Sequence, residues 1–237
     1  LIALSEANMC GRFERHSALS EFSKVVEGLI AEGIDPLPPS YNIAPSQAAL
    51  TVRHRAGAHR VDSLTWGLVP GWMKETGKIR PINARAETIH QKPMFRDAFR
   101  YQRCLVLCDG YYEWKKLSKG RKQPYHLGRP DKSPFVMAGL WSHNAHLATG
   151  GLETFCVITT PASGEAATIH HRMPVILPRA VQTQWLDPSV SKTKQIQELL
   201  MTSDTDLSVY PVSTFVNSPA NNSVSCTVPY ADRSVVS

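Results

Sequence analysis

From residue 48 onward the chain is cut into short apolar runs, and that rhythm limits its fold more than any other feature. The runs 49–54, 61–68, 104–107, 123–127, 134–141, 154–159 and 174–177 are each four to eight residues long and are bounded by Gly, Pro or Asp. Runs of that length between turn residues are strand-sized, and their recurrence argues for an antiparallel, barrel-like or sandwich core. A helical period is confined to residues 18–32, where Leu19, Phe22, Val25, Val26, Leu29 and Ile30 recur before Gly33 and Asp35-Pro36 stop the helix. The stretch 37–46 is rich in Pro and Asn and reads as an ordered loop. Short helices are expected at 93–100, 180–186 and 193–201. The expected fold class is therefore α+β: a single domain with a mainly antiparallel barrel-like β core and short peripheral helices. With 237 residues the chain has ample length for such a core.

Composition excludes several classes of protein. Hydrophobic residues make up 42% and charged residues 19%, which suits a folded chain and not a disordered one. The longest apolar run, 134–141, is far short of the roughly 20 residues that span a bilayer. Residues 1–9 lack the basic start and apolar centre of a secretory signal. Five cysteines are too few, and odd in number, for a disulfide framework, so a reducing cytoplasm is expected. The net charge is +6, yet residues 72–132 alone hold 15 Lys and Arg against 6 Asp and Glu. A basic middle third calls for an anionic partner, of which the phosphate backbone of nucleic acid is the commonest. Lys115, Lys116, Lys119, Arg121 and Lys122 also fit a solvated turn, and charge alone does not separate these readings.

Four segments could carry chemistry. In the first, Met9-Cys10-Gly11-Arg12-Phe13, Met9 is the first methionine of a chain that opens on Leu1. Translation from Met9 and trimming would leave Cys10 with a thiol and a free α-amine, whose reference pKa values are about 8.5 and 7.7–8.0. Such a 1,2-aminothiol condenses with an aldehyde to an imine, which the sulfur closes to a thiazolidine; the bland alternative is a buried packing cysteine. In the second, the strand-like residues 66–72 end in a Pro-Gly turn that presents Trp72. An exposed indole stacks on an unpaired base for about 1–3 kcal/mol, whereas most tryptophans are core residues. Asn83 and Arg85 follow, on one side of the chain if it is extended.

The third segment holds Glu113 between Tyr111, Tyr112 and Trp114. A carboxyl among aromatics is desolvated and raised toward values useful for proton transfer, unless a nearby Lys pairs with it. Cys104 and Cys108 have three residues between them and no matching Cys or His pair, so they read as packing residues; no metal or other cofactor is expected. The fourth segment carries His170 and His171, which on an extended chain point to opposite faces.

In this order the segments resemble one family, SRAP, the SOS-response-associated peptidase or abasic-site-processing proteins. The resemblance runs through Met9-Cys10-Gly11-Arg12-Phe13, Tyr41-Asn42-Ile43-Ala44-Pro45, residues 66–72 and Asn83-Ala84-Arg85. It continues through Asp109-Gly110-Tyr111-Tyr112-Glu113-Trp114-Lys115, Ile169-His170-His171-Arg172-Met173-Pro174 and Tyr210-Pro211-Val212-Ser213. It implies a protein of the DNA damage response that binds single-stranded DNA and captures abasic sites through a thiazolidine, with associated lyase and autopeptidase activities. Cys10 would supply amine and thiol, Asn83 would orient the cysteine, Glu113 would be general acid/base, and His170 would assist ring opening and reversal. Arg12, Arg85 and Arg172 would meet phosphates, Trp72 and Pro45 would stack on or wedge against bases, and Thr159 would bond to the DNA backbone.

Two other functions fit the same residues. One is a thiol peptidase using Cys10 with His170 and Glu113. The other is a non-covalent module that holds single strands or modified bases through Trp72 and the arginines. The expected organisation is a leader or mis-start over 1–9, one SRAP-like domain over 10–230 and a mobile tail over 231–237. The protein is expected to be monomeric, cytoplasmic and associated with the nucleoid, with no membrane contact.

Overall fold

Alternate residues of the central strands face two different cores. The computed structural model describes residues 10–31, 37–75 and 80–230. The segment 1–9, the helix-stop signals Gly33, Asp35 and Pro36, and the tail 231–237 fall outside them. In chain order the strands are β1 (Phe13–Arg15), β2 (Leu29–Ile30), β3 (Ser40–Ile43), β4 (Ala48–Arg55), β5 (Ala58–Trp66), β6 (Asn83–Arg85) and β7 (Arg103–Cys108). They continue with β8 (Gly110–Lys116), β9 (Lys122–Gly128), β10 (Phe135–Asn144), β11 (Leu152–Pro161), β12 (Arg172–Pro174) and β13 (Ser208–Pro211). Helices α1 (Leu19–Val25), α2 (Arg96–Tyr101), α3 (Arg179–Leu186) and α4 (Thr193–Leu200) lie among them.

The larger sheet has the order β12-β11-β10-β7-β4-β5-β2, with β6 added against β11. A short parallel pairing of β5 with β11, Thr154 to Thr65 and Phe155 to Trp66, closes five of these strands into a ring. Two residue pairs make that closure, so the ring is not a fully bonded barrel. The smaller sheet, β13-β9-β8-β1-β3, is antiparallel throughout.

On β7, Leu105 and Leu107 join the core that also holds Trp185 of α3 and Ile196 of α4. Their neighbours Cys104, Val106 and Cys108 join the core that also holds Phe13 of β1 and Tyr111 of β8. β10 and β11 divide in the same way, with Val136 and Ile158 on one side and Met137 and Val157 on the other. Strands covered on both faces are apolar at nearly every position, which is why the sequence shows short continuous runs there and no alternation.

Local composition misplaces three elements. The helix expected over 18–32 ends at Val25: Val26 is extended, Gly28 takes φ 64°, and Leu29 and Ile30 form an edge strand against His59 and Arg60. The stretch 37–46 contains β3, since pairing with β1 outweighs the flanking prolines. Run 174–177 is not a strand beyond Pro174; it adds one bridge, Ile176 to Met137.

Two buried arginines tie strands to what surrounds them. Arg53 bonds Asp62 at 2.8 Å and Glu153 at 2.7 Å, and stacks 4.3 Å above the Trp141 ring. Arg103 donates to the carbonyls of Phe99 and Arg100 at the end of α2, and of Trp185, Asp187 and Val190 around the end of α3. It thereby satisfies the carbonyls that helix ends leave open. Lysine has three donors from a single point and cannot span this set. Arg103→Lys is therefore expected to lower stability by about 2–3 kcal/mol in urea unfolding; a change below about 0.5 kcal/mol would mean that the carbonyls find other donors.

Candidate functional site

The site begins with strand register. β1 runs antiparallel to β8 with Phe13 opposite Tyr111, and the Tyr112 amide donates to the Arg12 carbonyl at 3.0 Å. Continued backward, that register brings residue 10 level with the 113–114 step of β8. There the Cys10 nitrogen donates to Glu113 Oε1 at 2.6 Å, across 103 residues of sequence. Asn83 of β6 donates from Nδ2 to the Cys10 carbonyl at 3.4 Å. Three of the expected residues thus converge on one backbone unit.

Cys10 and Glu113 are both buried. Burial pushes the Glu113 carboxyl up to about 8, opposed by amide donation from Cys10 and Trp114. The alternative of a Glu113–Lys pair is not realised: Lys115 lies over the Tyr125 ring at 6.0 Å. Burial also holds the Cys10 thiol well above its ordinary value, with the Glu113 charge adding to the effect. Cys104 and Cys108 are buried core residues whose thiols are raised for the same reason.

The two histidines do not face opposite ways. Ile169 is helical and ends a 3-10 turn, so the His170 and His171 rings lie side by side, tilted by 37° with centroids 4.3 Å apart. His170 Nδ1 lies 3.2 Å from the Arg172 amide and 3.3 Å from the Arg172 carbonyl, so it accepts from the one or donates to the other according to its protonation. Burial lowers its pKa, and His171, Lys116 and Lys122 lower it further.

The remaining expected contacts lie on adjoining strands. β6, β11 and β12 are neighbours, and Thr159 is level with both Arg85 and Pro174. Arg85 is exposed. Arg172 is buried, ion-paired with Glu87, and donates to the Thr159 carbonyl at 2.7 Å and hydroxyl at 3.3 Å. Arg12 donates to Asn42 Oδ1 at 2.7 Å and to the Val216 carbonyl at 2.9 Å. Trp72 is 59% exposed, within a turn that Asn144 clamps through the carbonyls of Pro70 and Met73. A cleft of about 190 Å³ adjoins it, lined by Leu68, Trp72, Met94, Asp97, Gln102 and Ser142 among others. Pro45 is half-buried in the turn that bonds to the end of β5 through Ser46 and Trp66.

The cluster Lys115, Lys116, Lys119, Arg121 and Lys122 forms the tip of the β8–β9 hairpin, with Lys116 directly across from Lys122. Sequence reasoning counted Tyr111 only as a desolvating neighbour, yet its hydroxyl is buried beside the cysteine without a hydrogen-bond partner among the described residues. Nothing in the local sequence distinguishes it from Tyr112.

The sign of the Glu113 shift makes a stability prediction. An acid raised in the folded state binds more protons folded than unfolded between its ordinary value and about 8, so stability falls as pH rises through that window. Glu113→Gln removes this loss. The full-length variant is expected to gain on the parent from pH 5 to 8, by about 1.4 kcal/mol per pH unit at most. Parallel stability curves in urea would show that Glu113 is not desolvated.

With this geometry in place, relatives can be compared. A profile of the family described as SOS response associated peptidase (SRAP) matches residues 9–219. The chain is 39% identical over 221 residues to the abasic site processing protein YoqW of Bacillus subtilis, covering 91% of this chain and 97% of that one. It is 32% identical over 225 residues to the abasic site processing protein HMCES of Gallus gallus, covering 81% and 66%. A solved phage-related protein of Bordetella bronchiseptica is 30% identical and superposes with a TM-score of 0.71 over 86% of this chain and 94% of its own. A Bacteroides thetaiotaomicron structure, 25% identical, reaches 0.70 over 94% and 98%. By sequence and by fold, the chain belongs to the SRAP family.

Proposed function

We propose that the protein processes abasic sites in DNA, binding single-stranded DNA and capturing the ring-opened sugar covalently through Cys10. One observation carries the reading: the Cys10 nitrogen, a peptide amide in this chain, lies 2.6 Å from the Glu113 carboxyl, which burial pushes up to about 8. A general acid/base is most effective with a pKa near the working pH; burial moves Glu113 toward it, and a protonated amine at that nitrogen would draw it back down. The names of the relatives above support the choice of substrate, and the basic hairpin and exposed Trp72 suit a single strand. The compartment that holds DNA is then its place of action.

The chemistry requires Cys10 nitrogen as a free amine. It adds to C1′ of the aldehyde, and the carbonyl π pair moves to oxygen, which gains the proton that the nitrogen loses. Protonated Glu113 then gives its proton to the departing hydroxyl, releasing water as the C=N bond forms, and the resulting carboxylate takes the remaining N–H proton to leave a neutral imine. The Cys10 sulfur adds to that carbon, its proton passing to nitrogen, and the thiazolidine closes. Asn83 holds the Cys10 carbonyl during these steps. His170 gives a ring proton to the sugar ring oxygen during opening. A buried thiol held protonated favours amine attack over the thiolate attack of a thiol peptidase. Because Cys10 is fully buried, capture requires local opening around it.

Protein whose first residue is verified as Cys10 by mass spectrometry, incubated with single-stranded DNA bearing one abasic site, is expected to form a crosslink that survives heat denaturation. Cys10→Ser should abolish it and leave salt-sensitive binding intact. Salt-sensitive binding with no covalent product from the parent would sink the capture mechanism and leave a binding module. The crosslinking rate should be bell-shaped in pH, its limbs belonging to the coupled amine–Glu113 pair. Glu113→Ala should slow crosslinking by about 10²–10⁴-fold with little change in DNA affinity; equal losses in both would remove Glu113 from proton transfer.

A further inference from the structure

Tyr111 and Glu113 are two residues apart on β8 and face the same side, while Tyr112 and Trp114 face the other. The polar groups of the far side are satisfied: Tyr112 donates to the Tyr41 carbonyl at 2.8 Å and Trp114 to Asn217 Oδ1 at 2.8 Å. On the near side Glu113 accepts the Cys10 nitrogen. Tyr111 differs from all of these. Its side chain is fully buried, its hydroxyl has no hydrogen-bond partner among the described residues, and it shares an apolar cluster with Cys10, Cys108 and Phe13.

The ionisable group that acts most strongly on this hydroxyl is Cys10, followed by Glu113 and Cys108. Burial holds its proton in place far above neutral pH, so the phenol is a fixed neutral donor. An unused donor beside the attacking thiol and the acid, in a water-poor setting, has the properties of a group that stabilises developing negative charge. The core around it is apolar, and phenylalanine would fill the same volume without an orphaned hydroxyl.

We propose that the Tyr111 hydroxyl donates a hydrogen bond to the aldehyde oxygen of the captured sugar as the Cys10 amine adds to C1′. This rests on the capture reading above. Tyr111 keeps its own proton throughout: the C–N bond forms, the π pair of the carbonyl moves to oxygen, and the proton that oxygen gains comes from the nitrogen by way of Glu113. Tyr111 stabilises the charge that accumulates on oxygen before that proton arrives.

The test is Tyr111→Phe, which deletes one oxygen and keeps the ring, in the same Cys10-first protein. Single-turnover crosslinking at saturating abasic DNA is expected to fall about 10- to 100-fold. DNA affinity, measured with Cys10→Ser in both backgrounds, should be unchanged, and the thermal midpoint should be equal or higher. That combination cannot come from a packing role, which would lower the midpoint together with the rate. A rate within twofold of the parent, or a rate loss matched by weaker binding or a lower midpoint, overturns the assignment. Capture by the parent with an unaffected Tyr111→Phe refutes Tyr111 alone, whereas a parent that forms no crosslink refutes the capture reading and this assignment together.

Discussion

The site depends on one carboxyl group kept from water opposite the nitrogen of Cys10. A buried carboxylate without a cation is costly, and such a group keeps its proton instead of its charge. Glu113 meets that description: burial is the first cause of its shift, and Lys115, two residues along the strand, lies over the Tyr125 ring. Had a lysine paired with Glu113, the same residue would be a permanent anion with no proton to give. The aromatic surroundings thus convert an ordinary acid into one that can both accept and donate at neutral pH. The amide donation from Cys10 and Trp114 limits the shift, which leaves the group near 8 and not beyond reach.

That arrangement needs β8 to be held still, and its outward side chains do so. The Tyr112 hydroxyl donates to the Tyr41 carbonyl at 2.8 Å and lies 3.3 Å from Glu14 Oε2, while Glu14 Oε1 bonds His126 at 2.7 Å. A Cβ at Gly110 would collide with the His126 ring and lie 2.8 Å from Glu14 Oε1, so only glycine lets that pair close on the strand. Farther along, Asn42 donates to the carbonyls of Val216, Ser218 and Asn221, strapping the C-terminal segment across Arg12 and Trp114. The outward side chains Tyr112 and Trp114 are hydrogen-bonded, and the inward face carries the raised acid and an orphaned phenol. An unsatisfied buried hydroxyl costs about 1–3 kcal/mol. The strand is therefore least satisfied where chemistry is expected and best satisfied behind it.

Much of this was legible in the sequence, for identifiable reasons. Short apolar runs between turn residues marked β4, β5, β7, β9, β10 and β11; in β7, β10 and β11 the runs are continuous because strands covered on both faces are apolar along most of their length. The same property hid which face each residue takes. β3 and the early end of α1 were misplaced because long-range pairing, with β1 for Ser40–Ile43 and with β5 for Leu29–Ile30, outweighs local composition. At the site, residue types pointed to Cys10, Asn83, Glu113 and His170, and the structure brings the first three together. Sequence reasoning could not show that Arg12 turns to Val216 or that Arg172 pairs with Glu87, since those partners lie 204 and 85 residues away. The histidine pair failed for a local reason: the period-two rule needs an extended chain, and Ile169 is helical.

The basic middle third gains physical meaning from the β8–β9 hairpin. Lys116 and Lys122 are cross-strand partners, and like charges directly opposite one another destabilise a sheet. The same two cations help to hold His170 neutral. A phosphate lying along the hairpin, as the proposed single strand would supply, weakens the field at the histidine. Binding of an anion and the protonation of His170 are then linked through two lysines. On the proposed reading, the charge of residues 72–132 bears on the histidine as well as on the encounter with DNA, because the fold puts the hairpin tip within electrostatic reach of His170.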